Sequence, residues 1–228
     1  MNAAGSELAR LLQLASPALP VGAYSYSQGL EAAVEAGIVR DRQTAELWIV
    51  DVLNYSVARL EAPILWRLIA SWSDKDCTAA QRWNALFLAG RESAELRAET
   101  IQMGYSLYKL LTELNCEIDR RLESLALFKE VSFPAAFALA VVHWQIAAPS
   151  AVIAYLWAWL ENQVVAAVKL VPLGQTDGQR VLFKLGDRLA DVANSAAMIG
   201  DDELGCFAPR LSILSSRHEM QYSRLFRS

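Results

Sequence analysis

Residues 133–171 read FPAAFALAVVHWQIAAPSAVIAYLWAWLENQVVAAVKLV, the most apolar stretch of this 228-residue chain. Pro149 divides the stretch, because proline fits the first turn of a helix but not its interior. The part before Pro149 is shorter than the roughly 20 apolar residues that cross a bilayer. The part after it carries Glu161, and a charge at the bilayer centre costs at least about 2.5–3.5 kcal/mol. We therefore predict two helices buried within protein and no membrane span.

The composition indicates a protein with more apolar surface than a small core needs. Hydrophobic residues make up 54% of the chain and charged residues 20%, whereas globular proteins average about 45–50% and about 25%. The surplus indicates a large core or an interface between subunits. The net charge of −4 gives no support to a nucleic-acid partner, which favours a basic chain.

Nearly every segment has apolar residues at helical spacing, and none shows the sustained alternation of a strand. We predict an all-α fold with about nine or ten helices in a single compact domain spanning residues 1–228. No low-complexity linker divides the chain. Residues 210–228 are expected to lie outside this domain as a tail.

Capping residues and glycines set the predicted helix ends. Asp41 and Ser132 are expected to be N-caps, and Pro63 is expected in a first turn. Gly90 and Gly104 are expected to break or closely pack the helical region 81–114. Two further N-caps are predicted, at Thr78 and at Thr176 or Asp177.

The cysteines and histidines form no metal-binding pattern. Cys77, Cys116 and Cys206 are far apart, and no signal peptide precedes them, which fits a reducing cytosol. His143 lies in an apolar helix and is expected to be packed there. His218 is followed by Glu219, a pair that gives at most a weak surface metal contact.

A search for catalytic motifs finds only a cluster of carboxylates. Phosphate-binding loops, GxSxG and HExxH are absent from the sequence. Glu92, Glu95 and Glu99 are spaced to share one helix face, but the Glu-x-x-His pairs of a di-iron bundle are missing. We expect ion pairs with arginines such as Arg91 and Arg97, or a charged surface shown to a partner. The sequence predicts no cofactor, no metal site and no enzymatic activity.

The chain ends in SSRHEMQYSRLFRS, residues 215–228, which is unusually rich in aromatic and arginine residues for a terminus. These residue types are enriched at binding hot spots. Tyr222, Leu225 and Phe226 have i, i+3, i+4 spacing, which on a helix would form one apolar anchor. The tail is therefore predicted to be a docking peptide, with the alternative that it folds back on its own domain.

Three segments carry a family resemblance: SPALPVGAYSYSQGLE at 16–31, PLGQTDGQ at 172–179 and RHEMQYSRLFRS at 217–228. Their presence in this order resembles the urease accessory protein UreF family, from about residue 8 to residue 228. The resemblance implies an all-α homodimer in the cytoplasm. It also implies a protein without catalytic activity that bridges UreD (UreH in some organisms) and the GTPase UreG. That complex docks on apo-urease and delivers nickel to it, and UreF is thought to modulate UreG GTPase activity.

The resemblance also implies which residues contact these partners. The contact with UreD or UreH is expected from the tail residues Arg217, Tyr222, Arg224, Leu225, Phe226 and Arg227. The contact with UreG is expected from Lys169, Gln175 and Gln179, although Lys169 could instead interact only with the last carbonyls of its own helix. Part of the apolar surface of the helices in 133–171 is expected at the homodimer contact.

Two other functions stay open at this point. The first is a helical metal-dependent hydrolase that uses the Glu92, Glu95 and Glu99 face. The second is a helical interaction module in another complex.

Overall fold

The computed structural model describes residues 3–114 and 120–228, and within these ranges it is all-α, as predicted. Cys116 lies outside the described residues. The helices are α1 Ala3–Ala15, α2 Leu30–Glu35, α3 Arg42–Val52, α4 Ala62–Ser73, α5 Cys77–Ala89, α6 Ala94–Glu113, α7 Arg120–Ala126, α8 Phe133–His143, α9 Ala148–Leu170, α10 Gln175–Gly186, α11 Leu189–Met198 and α12 Pro209–His218. The predicted helix over 81–114 divides at Gly90, and the one after Gly178 divides at Asp187.

The apolar stretch that opened the sequence analysis forms the centre of the fold. Residues 134–141 of α8 are all buried, and α8 packs mainly against α4 and α6. Helix α9 packs against α1, α2, α4, α10 and α11. By length and composition α9 could cross a membrane, but 61% of its most apolar 18-residue window is buried inside this helical assembly. The prediction of two helices buried within protein is confirmed.

Most of the predicted helix starts are confirmed. Asp41 accepts a hydrogen bond from the Thr44 amide at 2.8 Å, and Ser132 caps α8 through the Ala135 amide. Pro63 lies in the first turn of α4. The prediction for Thr78 is wrong, because Asp76 caps α5 through the Ala79 amide.

The predicted cap of α10 is also wrong. This helix already begins at Gln175, and Gly174 precedes it without a side-chain cap. Thr176 and Asp177 therefore lie inside the first turn. The Asp177 carboxylate instead interacts with Arg180 at 2.9 Å and with Arg42 at 3.7 Å.

Gly104 is a close-packing glycine, as the sequence predicted. A Cβ atom at this position would lie 2.2 Å from the Val131 carbonyl oxygen and 2.6 Å from the Ser132 carbonyl carbon. Because backbone atoms cannot move aside cheaply, only glycine lets α6 approach the start of α8 this closely.

One π-helical segment, Leu53–Glu61, joins α3 to α4 without a break. Such segments are rare and frequently occur at functional sites. Here the segment directs the Ser56 and Glu61 side chains into the interior, where both are buried and hydrogen-bonded.

Candidate protein-interaction site

The tail folds back against the domain rather than lying outside it, which is the alternative that the sequence left open. Helix α12 ends at His218, and residues 219–228 turn back as non-helical chain. Backbone hydrogen bonds fix its last residues to the segment before α2. The Arg227 amide donates to the Ser25 carbonyl at 2.8 Å, and the Ser27 amide donates to a Ser228 backbone oxygen at 2.8 Å.

Glu31 of α2 holds the tail through main-chain contacts. Its carboxylate accepts hydrogen bonds from the Leu225 amide at 2.6 Å and from the Phe226 amide at 2.9 Å. Glu31 itself is buried. Hydrogen bonds to an ionised group are stronger than those between neutral groups, so this carboxylate fixes the orientation of the tail.

The three apolar residues of the predicted anchor do not share one face. Phe226 is buried, whereas Leu225 is 65% exposed and Tyr222 is fully exposed. The helical spacing does not apply, because the chain is not helical after His218. Phe226 is therefore an internal anchor, and Tyr222 and Leu225 remain available on the surface.

The tail arginines have different surroundings. Arg224 donates to Glu95 at 2.7 Å, so this residue helps to hold the tail. Arg227 hydrogen-bonds to Tyr26. Burial raises the pKa of Tyr26 above its ordinary value, although this hydrogen bond acts in the opposite direction. Arg217 is exposed in the last turn of α12.

His218 is completely buried, which corrects the expectation of a surface metal contact. Its Nδ1 atom lies 2.8 Å from Glu95 Oε2, and its Nε2 atom lies 3.1 Å from Glu31 Oε2. Both ring nitrogens are thus occupied by carboxylates. His143, at the end of α8, is half-buried.

Glu99 is the buried acid that contacts Ser228, the last residue of the tail. It accepts hydrogen bonds from Gln28 at 2.7 Å and from the Ser228 hydroxyl at 2.9 Å. Burial raises the pKa of this carboxyl to about 7, although the hydrogen bond from Gln28 and the charge of Arg91 act in the opposite direction. The structure thus places an easily neutralised acid beneath the last residue of the tail.

The three carboxylates of the predicted acidic face do not converge. Glu92 lies before the start of α6, not on it, and accepts hydrogen bonds from Ser56 and Cys206. Glu95 and Glu99 point to His218 and Ser228 instead. Within residues 3–114 and 120–228, no group of three potential ligands could hold a metal ion.

Of the two arginines expected to pair with this face, Arg91 lies 4.0 Å from the Glu92 carboxylate, whereas Arg97 pairs with a glutamate outside the face. Arg97 pairs with Glu130, which lowers the pKa of that carboxyl. Arg91 is buried and pairs with Glu61. Burial alone would lower the pKa of Arg91, but the charges of Glu61 and Glu92 outweigh burial and raise the pKa. Tyr155 also donates to Glu61, at 2.9 Å, and burial raises the tyrosine pKa well above its usual range.

The surroundings of Cys206 and the cavity beside Glu61 could not be predicted from the sequence. The Cys206 thiol has its pKa raised to about 11 by burial and by Glu92, so it is not a reactive thiolate. Glu61, Arg91 and Glu99 line a mostly apolar cavity of about 110 Å³, together with other polar residues such as Gln28 and Glu161. Glutamates among apolar residues at helical spacing, such as Glu31 and Glu61, are the feature of the sequence that could have indicated buried charged groups.

The residues expected to contact UreG lie together at one corner. Lys169 is exposed in the last turn of α9, Gln175 begins α10, and Gln179 is exposed one turn later. The Lys169 ammonium lies 5.6 Å from the centre of the Phe226 ring, within the range of a cation–π contact. This corner is thus adjacent to the tail, a proximity that the sequence did not predict.

Comparison with known proteins places the chain in a family. The family model for UreF matches residues 39–186. The urease accessory protein UreF of Azoarcus sp. (strain BH72) is 54% identical over 223 residues, covering 97% of this chain and 95% of the relative. The UreF proteins of Janthinobacterium sp. (strain Marseille) and Dechloromonas aromatica (strain RCB) are 51% and 50% identical, each covering 97% of this chain and 98% of the relative. The chain therefore belongs to the UreF family of urease accessory proteins.

Proposed function

We propose that this chain is a scaffold without catalytic activity in the maturation of urease. It bridges UreD (or UreH) and UreG in the cytoplasmic complex that delivers nickel to apo-urease, and it modulates the GTPase activity of UreG. Its relatives are urease accessory proteins, which supports the role in urease maturation. One structural observation supports the bridging role: the tail presents Tyr222 and Leu225 to solvent, and Phe226 of the same tail lies 5.6 Å from the Lys169 ammonium.

The contact with UreD is assigned to the outer side of the tail. Tyr222 and Leu225 are exposed, and Glu31 and Ser27 hold the backbone from Leu225 to the end of the tail in place. Holding the backbone lowers the entropy lost on binding. Exposed Arg217 and Arg227 can pair with carboxylates at the edge of the contact.

A double substitution tests this contact. We expect Tyr222→Ala with Leu225→Ala to weaken UreD binding at least about 30-fold, since each is the kind of large side chain that dominates interfaces. Met198→Ala is the control, because Met198 is equally exposed on α11. Titration of UreD into each variant gives the affinities. An unchanged affinity in the double variant would refute the assignment.

The contact with UreG is assigned to Lys169, Gln175 and Gln179. Because this corner adjoins the tail, one face of the chain can bring UreD and UreG together. Lys169→Ala should leave UreD binding intact and lower UreG-dependent nickel incorporation into urease. Lys75→Ala, an exposed lysine in the loop after α4, is the control. Wild-type nickel incorporation in Lys169→Ala would remove this residue from the contact.

The separate partners of Glu92, Glu95 and Glu99 favour this role over that of a metal-dependent hydrolase. Elemental analysis of the purified chain separates the two functions, because a hydrolase would retain metal at a defined ratio.

A homodimer is also part of the proposal. Residues 134–141 of α8 are buried within their own chain, so within 133–171 the two-fold contact would use exposed apolar side chains of α9, such as Trp157 and Val165. Sedimentation velocity gives the assembly state, and a monomer at all concentrations would contradict this part.

A further inference from the structure

The tail is attached by a cluster of ionisable groups buried between α2, α6 and α12. His218 lies between Glu31 of α2 and Glu95 of α6, with N–O distances of 3.1 and 2.8 Å. The His218 side chain has no solvent exposure, and those of Glu31 and Glu95 are 9% and 13% exposed. A buried polar group without a partner is costly, so each of these contacts has to be satisfied.

The hydrogen-bond donors around the two carboxylates decide the state of the imidazole. Glu31 already accepts the Leu225 and Phe226 amides, and Glu95 already accepts Arg224. Both carboxylates therefore already have donors on them, and each ring nitrogen of His218 faces an acceptor oxygen. A histidine donates from both nitrogens only as an imidazolium.

Arg224 pairs with Glu95 and balances the second carboxylate, and we propose that Glu31, Glu95 and His218 form a latch that holds residues 219–228 in the folded-back conformation from which Tyr222 and Leu225 reach a partner. We call these three residues the tail latch. They are positioning residues, since they are buried behind the tail and do not face the partner. This inference rests on the proposed function only for the identity of that partner.

The latch differs from simple packing in a way that substitutions can reveal. In His218→Gln, the glutamine N–H can donate to one carboxylate, but its oxygen then faces the other one. Adding Glu95→Gln supplies an amide donor to that oxygen, so every buried contact can form again without a charged residue 218. If His218→Gln instead acted only by leaving a small cavity, adding Glu95→Gln would not restore the tail contact.

Hydrogen exchange of the amides in 219–228 of the isolated chain measures the latch directly. We expect His218→Gln to accelerate this exchange at least about tenfold, because a hydrogen bond to a charged group contributes about 1.5–3 kcal/mol. The double variant His218→Gln with Glu95→Gln should return to within about threefold of wild type, on the same scale. Glu219→Gln, an exposed neighbour, is the control and should match wild type.

Binding of UreD to the same variants tests what the latch is for. The affinity should fall in His218→Gln and recover in the double variant, in parallel with the exchange rates. Unchanged exchange in His218→Gln, or a double variant that exchanges as fast as the single one, would overturn the latch. Exchange that changes without any change in affinity would overturn its positioning role. If wild type itself did not bind UreD, the proposed function would fail, and the exchange pattern would still decide the latch.

Discussion

Helix α8 and the tail are both held in this domain, but by different forces. Helix α8 is held by the burial of its apolar side chains at residues 134–141. The tail buries Phe226 and is otherwise held by hydrogen bonds to Glu31, Ser25 and Ser27. Apolar burial contributes roughly 25 cal/mol per Å² without direction, whereas hydrogen bonds fix an orientation. The comparison indicates that apolar burial holds α8 in the core, whereas directional contacts set the orientation of the tail, which we propose as a binding surface.

The largest expected effect is on the packing of α8. Gly104→Ala would place a Cβ atom 2.2 Å from the Val131 carbonyl oxygen, so α6 and the start of α8 would have to separate. We expect the free energy of unfolding to fall by about 3 kcal/mol. Gly174→Ala is the matched control, because no atom lies within 4 Å of its Cβ position. Urea unfolding measures both, and equal midpoints would contradict the close-packing role.

The next effect concerns the acid beneath the tail. The pKa of Glu99 is raised from 4.5 to about 7 by burial. Between these values the folded protein keeps the proton that the unfolded chain releases, so this residue destabilises the fold progressively as the pH rises. Its stabilising contribution is complete below pH 4.5 and is lost as the pH passes through about 7.

Glu99→Gln removes this dependence, because an amide stays neutral. Relative to wild type, the variant should gain about 2 kcal/mol of unfolding free energy between about pH 5 and about pH 8. Urea unfolding at several pH values measures the difference. Parallel curves for the two proteins would show that Glu99 is not protonated in the folded state.

The smallest effect on overall stability is expected at the tail anchor. A core Phe→Ala change costs about 3–5 kcal/mol, but the tail can open locally, so Phe226→Ala should cost only about 1 kcal/mol. The same change should expose Arg224 and Arg227 to faster cleavage by trypsin. Tyr222→Ala, with a fully exposed side chain, should change neither quantity. A loss as large as for a core phenylalanine would mean that the tail is part of the cooperative fold.

The comparison also separates what the sequence could predict from what it could not. Helix starts depend on neighbouring residues, so Asp41, Pro63 and Ser132 could be identified directly. Gly104 was recognisable because glycine is unfavourable within a helix unless a close approach requires it. The apolar run of α8 likewise predicted burial.

The tail contact depends on residues that are far apart in the sequence. Phe226 and its backbone partner Glu31 are 195 positions apart, and local spacing cannot show which aromatic residue faces inward. The helical periodicity applied to Tyr222, Leu225 and Phe226 failed because the helix ends at His218. Similarly, the spacing of Glu92, Glu95 and Glu99 could not show that α6 begins only at Ala94.

The central claim is that the tail joins this chain to UreD while the helical domain folds without it. The direct measurement is co-purification of UreD with the chain truncated after Ser216, together with its circular dichroism. We predict a helical domain that stays folded, because Glu31 and Glu95 gain water when the tail is removed, and no retained UreD. Retention of UreD in the amount seen with the full chain would contradict the account.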